Sequence, residues 1–571
     1  MRFLKQVFFL LALQIVTLVS GNIYAQGSGQ EAVYLQTDRT TYIAGEPVYY
    51  KFYVLDAENR KRSEISKVGY ILIRAANQNP VLKIKVDITT GTSNGRIVLP
   101  DSLISGVYKL VAFTSMMKNQ GAPLFNKEIV IVNRFDKELN FKLPIPALTD
   151  TFKALQTDST FVITTDKTEY GPREKVKVSL GKLNSKATLA VSVSEETNTF
   201  PDKTIVKTMA GLSNDAFKIR PENDYLPEST GKILRGIVQD EMSGKNISDV
   251  VVLLSRIDSI PNLQYATTNS NGFFQLLLDD YYNGKQLFLT IKDVPTGQHW
   301  KIRLEDDFEL PYKWNPSMVL NSGSSKAQLA KSQQIVYINK TYQLNNDVKE
   351  EPTPEKSSVC PRFYYNPVKT TVLSDFVPLN DFPEIVVELF PTIQVNKNKE
   401  TYKVQMMNVT TFVYSEPVIF LDGVYVDDVN KIMGLGSDKI KKIDLLAAER
   451  VFGDLVFNGV IAITSNSNEI LKITPAPQSL RIKNEKRQGG NMLVTVQPDS
   501  LRSATTPFFK QLLYWNPGLE LNENSTTSFG FYTSDNTGDF IIRAEGISEN
   551  GTPVSVCKSI KVTNQPNITD K

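Results

Sequence analysis

The chain has little of what metal, redox and nucleophile chemistry is built from. Among 571 residues there is one histidine, His299, with two cysteines, Cys360 and Cys557, and three tryptophans. A single histidine excludes any multi-histidine zinc site, and two cysteines far apart in sequence do not make up for it. His299 sits beside Trp300 in the string VPTGQHWKI, and neither cysteine is linked to the histidine in sequence. It reads as a surface or strand-end residue. The paired carboxylates Asp306-Asp307 and Asp427-Asp428 are adjacent in sequence. Neighbours on a strand point to opposite faces, so these are poor acid–base pairs and read as solvated loop charges. No catalytic residue, metal ligand or cofactor is assigned, and the chain is read as not an enzyme. Charge of one sign is also missing. Lys and Arg number 64 against 61 Asp and Glu, interspersed along the chain, which gives no footprint for nucleic acid or an anionic membrane.

Long apolar runs are confined to the start. Arg2 and Lys5 precede an apolar stretch at residues 7–19, and a more polar segment ends at Tyr24-Ala25-Gln26. That order predicts a secretory signal peptide over residues 1–25, cleaved between Ala25 and Gln26. The stretch is shorter than the ~20 apolar residues of a membrane span, and no later segment reaches that length, so no transmembrane helix is expected in the mature chain. In an oxidising compartment Cys360 and Cys557 could pair; two separate buried thiols fit the sequence equally.

What is present is β patterning, rich in aromatic residues: 23 Tyr and 29 Phe. The fold class expected is mainly β and multi-domain, with Ig-like or macroglobulin-type sandwiches and one small α+β domain. Over residues 31–133, Val33 and Leu35, then Val48, Tyr50, Phe52 and Val54, alternate with polar neighbours around an Ala44-Gly45-Glu46-Pro47 turn. A second sandwich is expected over 155–225, because its opening repeats the first. Thr37-Asp38-Arg39-Thr40-Thr41-Tyr42 corresponds without a gap to Thr165-Asp166-Lys167-Thr168-Glu169-Tyr170, and Glu46 and Val48 to Glu174 and Val176. A third sandwich is placed at 231–310, where Asn271-Gly272 supplies a tight turn. Residues 321–358 read as a helix followed by an acidic, proline-containing linker. Residues 376–465 change period as an α+β unit does, with Asp427–Leu435 of helix length. Residues 470–562 read as a C-terminal Ig-like sandwich.

Three of these strings carry family resemblances. The T-D-[RK]-x-x-Y-x-x-G-E-x-V pattern resembles the second macroglobulin-type domain of the α-2-macroglobulin superfamily, with Arg173 replacing the turn glycine in the second copy. The Cys-Gly-Glu-Gln thioester of that superfamily's covalent trap is not present: Cys360 precedes Pro361 and Cys557 precedes Lys558. The pattern from Gly231 through Thr267 to Phe274 resembles a carboxypeptidase regulatory-like sandwich, a module without catalytic zinc. The strand before Asp422-Gly423-Val424, the Ile440-x-x-Ile443 strand and the Phe452-Gly453…Asn458-Gly459-Val460-Ile461 ending resemble the plug of TonB-dependent outer-membrane transporters. In that reading Asp422, Gly423, Asn458 and Gly459 are turn residues that hold the plug fold. Such a transporter needs about 22 strands of about 10 residues, more than follow Ser465. The resemblance is therefore to a barrel-less exported envelope family that combines these modules.

The function this implies is a non-catalytic interaction or assembly protein, in the periplasm or associated with the outer membrane or cell surface. Its expected partner is a protein there, a transporter or secretion component. A thioester-less macroglobulin-like endopeptidase inhibitor is the alternative, and a surface glycan- or peptide-binding protein the second alternative. Tyr514-Trp515 is a candidate partner anchor, with core packing as the competing reading.

Overall fold

A strand whose apolar residues recur at every second position buries one face, and the Pro47–Asp56 strand is built that way. In the computed structural model of the chain, the described residues are 30–75, 79–119, 124–136, 161–195, 225–310, 325–342, 348–351, 363–364, 366–399, 401–495 and 507–564. The signal peptide with Ala25 and Gln26, and Cys360, lie outside them. Contacts divide the chain into two units, residues 1–229, 310–353 and 488–571 in one and 230–309 and 354–487 in the other. The protein is mainly β, with several sheets.

In the first unit, Pro47–Asp56 lies between Glu31–Thr37 and Thr92–Val98. The facing sheet runs Thr41–Ile43, Phe125–Val132, Gly106–Phe113, Val68–Arg74, Pro80–Asp87. Val48, Tyr50, Phe52 and Val54 are buried, as the alternation predicts. Tyr49, Lys51 and Tyr53, on the opposite face, are buried as well. Their face meets a second sandwich: Tyr49 packs with Ala190, Met492, Val494, Leu512 and Trp515.

That second sandwich corrects the division at 155–225 and 470–562, because strands from both segments form one body. Lys175–Leu180 pairs along its whole length with Thr527–Tyr532. Ala187–Glu195 is the centre of a seven-stranded sheet, between Gly538–Ser548 and Leu512–Leu521. The reason is one of area. The strands at 163–195 are too few to close a two-layered core by themselves, and Val176, Val178, Leu189, Val191 and Val193 are covered by Phe531, Phe540, Ile542 and Val556 from the far end of the chain. Two further pieces fall elsewhere than expected. Val348–Glu351, read as linker, is a strand at the edge of the same sheet. Ser479–Lys483 joins Gln286–Ile291 in the other unit. The expected helix spans Ser325–Thr341 and is held by Lys331 against Glu195 at 2.5 Å.

The repeated string is a repeated corner. Tyr42 donates its hydroxyl to Asp38 Oδ1 at 3.0 Å and to the Arg39 carbonyl at 2.6 Å. Tyr170 does the same to Asp166 at 2.8 Å and to Lys167 at 2.9 Å. Asp38 also accepts from Tyr49 N–H and Asp166 from Lys177 N–H, at 2.9 and 3.0 Å. Arg39 pairs with Glu46, and Lys167 with Glu174. Each corner starts a short strand that runs parallel to a later one. Arg173, which replaces the turn glycine, takes a left-handed φ of 57° and is held by two 2.6 Å bonds to Asp535. The first corner is buried, and burial lifts the Asp38 carboxyl above its ordinary value despite Arg39 beside it. At the exposed second corner burial also opposes ionisation, but the bonds from Lys177 and Tyr170 outweigh it and hold Asp166 low. Asp38→Ala should therefore cost about 3 kcal/mol, since in the interior it leaves the Tyr49 N–H without its acceptor and Arg39 with Glu46 as its one remaining carboxylate. Asp166→Ala should cost about 1 kcal/mol. Urea unfolding of the two variants checks the ratio; equal losses would refute the assignment of different environments.

In the second unit, one sandwich carries Phe273–Leu278, Lys232–Asp240 and Trp300–Leu304 against Leu263–Thr267, Val251–Arg256, Gln286–Ile291 and Ser479–Lys483. The α+β part has a five-stranded sheet in the order Lys369–Val372, Ile440–Leu446, Val460–Ser465, Val418–Leu421, Val424–Tyr425. Its helix is Phe382–Leu389, capped by Asp381, whose Oδ1 accepts from Glu384 N–H at 2.9 Å, with Pro383 in the first turn. The Asp427–Leu435 segment is not a helix of that length: Asp428 caps a single 3-10 turn, Val429–Ile432, which ends before Gly434 and Gly436. Sandwich and sheet share a core in which Leu253 and Leu263 pack with Val418, Phe420 and Val460.

Candidate interaction surface

Asp422-Gly423 is a buried joint within the second unit. Asp422 takes a φ of 51° and Gly423 a φ of 82°. The Asp422 carboxylate accepts from Ser465 N–H at 2.7 Å, Ser465 Oγ at 2.8 Å and Ile470 N–H at 3.2 Å. Its carbonyl accepts from Asp258 N–H of the sandwich at 3.0 Å. Asn458 is exposed; Gly459 has a φ of 132°, and a Cβ there would lie 2.1 Å from the Met406 methyl. All four are positioned by the fold of the sheet.

Tyr514 and Trp515 are corrected as partner contacts: Trp515 is 0% exposed and Tyr514 4%. They face opposite sides of one strand, Tyr514 stacked on Phe529 in the sandwich core and Trp515 in the junction with the first sandwich. Cys557 is a free, half-buried thiol, pushed up to about 11 by burial. His299 is exposed, with its carbonyl accepting from Glu241 N–H. Asp427 pairs with Lys431. Among the described residues there is no group of three His, Cys, Asp or Glu side chains that could hold a metal, and no helix is long and apolar enough to cross a membrane.

Exposed apolar side chains mark another place. More than half of the large ones exposed among the described residues lie between Val368 and Leu471. The Thr401–Met407 and Tyr414–Ser415 strands form a hairpin whose loop exposes Val409 (44%), Phe412 (73%) and Val413 (59%). The loop is held stiffly. Asn408 Oδ1 accepts from Thr410 and Thr411 N–H, Phe412 N–H donates to the Asn408 carbonyl at 2.8 Å, and Asn408 N–H to the Val413 carbonyl at 3.0 Å. Phe412 has a φ of 57°, which costs a non-glycine residue roughly 1–2 kcal/mol. Val409 N–H donates to the Ala447 carbonyl at 3.0 Å, beside the end of Ile440–Leu446. From that same end leaves the Arg450–Phe452 and Leu455–Phe457 hairpin. Phe452 and Phe457 pack inward on Phe363, while Val451 and Val456, directly opposite one another, stay more than half exposed. No charged residue lies between Val404 and Ser415. That uncharged run, with V-T-T-F-V between two strands, is the sequence signal of this surface.

No family model matches the chain, and no curated protein matches it. Among solved structures it is similar to Escherichia coli alpha-2-macroglobulin activated by porcine elastase, at 8% identity over 93% of this chain and 44% of that one, TM-score 0.24. It is also similar to Salmonella alpha-2-macroglobulin reacted with methylamine, at 9% identity over 95% of this chain and 24% of that one, TM-score 0.16. A tetra-tandem repeat in the extending region of a large adhesion protein matches at 8% identity over 94% of this chain and all of that one, TM-score 0.13. The chain spans less than half the length of these two macroglobulins.

Proposed function

We propose that the chain is an exported, non-catalytic interaction or assembly protein of the Gram-negative cell envelope. It takes a protein partner at the outer membrane, a transporter or secretion component, through the plug-like α+β part of its second unit. The observation that carries this reading is the stiff, uncharged loop that holds Phe412 strained and open to solvent beside Val409 and Val413. Strain and exposure together oppose folding stability, and a fold keeps such a residue where another molecule covers it. The sandwich of the second unit supplies a frame that positions the sheet carrying the loop.

Phe412→Asn tests this. Asn tolerates the left-handed region and carries no apolar surface. The variant should gain up to about 1 kcal/mol in the free protein and lose at least tenfold in recovery of the partner from gently solubilised outer membrane. Unchanged recovery, or recovery of the wild-type protein alone, would sink the reading. A second reading, a thioester-less macroglobulin-like protease-binding protein, is favoured by the twin sandwiches with the same corner. Gel filtration after incubation with a panel of endopeptidases separates the two: co-elution supports the second, and neither cleavage nor co-elution removes it.

A further inference from the structure

Lys51 stands in the middle of the Pro47–Asp56 strand, directly across from Gln36 on one side and Asn94 on the other. Paired residues of an antiparallel sheet present their side chains to the same face, so the three form a row. That face is the junction with the second sandwich of the same unit. Gln36 Nε2 donates to the Ala190 carbonyl at 3.1 Å, and Tyr49, one step along the row, packs on Trp515.

The ammonium is poorly accommodated. Lys51 is 5% exposed and forms no ion pair with a described carboxylate; its nearest aromatic partner is the Tyr53 ring, 5.8 Å away. Burial, with the Arg62 charge in support, pulls it down to about 8. Arg62 bridges to Leu55 on the same face and likewise has no described carboxylate as partner. The acids of this face are engaged elsewhere. Glu545 accepts from Arg543, Tyr34 and Ser555, and Asp38 from Arg39, Tyr42 and Tyr49. Two cations thus act on one another with nothing of opposite sign between them. Beside them, Gln36 Oε1 and Asn94 Oδ1 are buried acceptors without a donor, and Trp515 Nε1 is a buried donor without an acceptor.

A buried cation without a counter-charge costs several kcal/mol, and native structures satisfy nearly all buried polar atoms. A halide would compensate the charge and leave the two amide oxygens unmatched. Sulfate carries no proton to give them. Dihydrogen phosphate has both halves: anionic oxygens for the cations and two P–OH donors for the two amides. We propose that the junction between the two sandwiches of the first unit binds a protonated oxyanion of the phosphate class, held by Lys51 and Arg62, with Gln36 and Asn94 accepting its hydroxyl protons. This site is independent of the outer-membrane reading.

The test is calorimetric titration of the full chain with inorganic phosphate, with sulfate and chloride at matched ionic strength and thermal unfolding read in parallel. Saturable phosphate binding is expected, with sulfate at least tenfold weaker and chloride without a saturable signal. Arg62→Gln and Lys51→Met should each weaken phosphate at least tenfold while circular dichroism shows the sheets intact. Lys51→Met removes the buried charge, so it should melt higher than wild type in phosphate-free buffer and lose the phosphate-dependent rise. Equal responses to all three anions, no binding, or saturable phosphate binding that survives in both variants would overturn the proposal. The last would place the ion elsewhere, and the first two would leave Lys51 solvated by water.

Discussion

Gly423→Val is expected to destabilise the second unit by about 4 kcal/mol, among the larger effects of a single substitution. Two penalties combine. The backbone at Gly423 has a φ of 82°, open to glycine and strained for a β-branched residue. The added Cβ would also lie 2.7 Å from the Asp258 carbonyl oxygen, 2.8 Å from the Asp258 nitrogen and 2.9 Å from the Arg256 carbonyl oxygen. All three are backbone atoms, so relief means moving the end of the Val251–Arg256 strand and the segment that follows it, and with it the bond from Asp258 N–H to the Asp422 carbonyl. Gly434→Ala is the control, because a Cβ there meets nothing within 4 Å, and it should cost under about 1 kcal/mol. Denaturant unfolding should show a lowered transition for Gly423→Val and a near-native one for Gly434→Ala. If both variants unfold with wild type, the turn is not the joint between sandwich and sheet.

That turn shows how far the sequence can be read. Asp-Gly after an apolar strand announces a turn, and the turn is there. What the turn touches comes from residues about 165 positions earlier in the chain, and periodicity is silent about such contacts. The same limit split the second sandwich into two. Residues 470–562 read as sandwich strands, but nothing local to Thr527–Tyr532 names Lys175–Leu180 as its partner. The repeated corner was legible because the bonds its two copies share, from the aspartate to the tyrosine and to the next strand, lie within a dozen residues. Tyr514-Trp515 illustrates the opposite case: a strand buried on both faces looks, in sequence, like one with an aromatic to spare. The candidate surface was missed for a related reason. Phe412 looks like any core phenylalanine until its φ and its exposure are known.

Glu545→Ala should destabilise the first unit by about 4 kcal/mol, through the charge it leaves behind. Glu545 is 0% exposed and is the acceptor of the inter-sandwich junction. Arg543 donates to it at 2.9 Å, Ser555 at 3.0 Å and, from the other sandwich, the Tyr34 hydroxyl at 2.5 Å. Burial first, and the Glu545 charge second, hold the Tyr34 phenol well above its ordinary value of 10.0. The hydroxyl therefore keeps its proton and stays the donor. A raised folded-state value means that this contribution is complete below about pH 10, where the unfolded phenol is also neutral, and is lost only as the pH climbs beyond that. In the alanine variant Arg543 remains buried with no carboxylate at its tip, and Tyr34 loses its acceptor. Tyr34→Phe removes only the bond across the junction and should cost about 1–2 kcal/mol. The double variant should cost less than the sum of the two, because the same bond is deleted in each. Glu545→Leu with Arg543→Met replaces the pair by apolar groups and should recover most of the loss. Urea unfolding near neutral pH measures all five proteins. Strict additivity of Tyr34→Phe and Glu545→Ala would mean that the junction is held by its apolar patch around Tyr49 and Trp515 and that the short bond between the sandwiches contributes nothing to it.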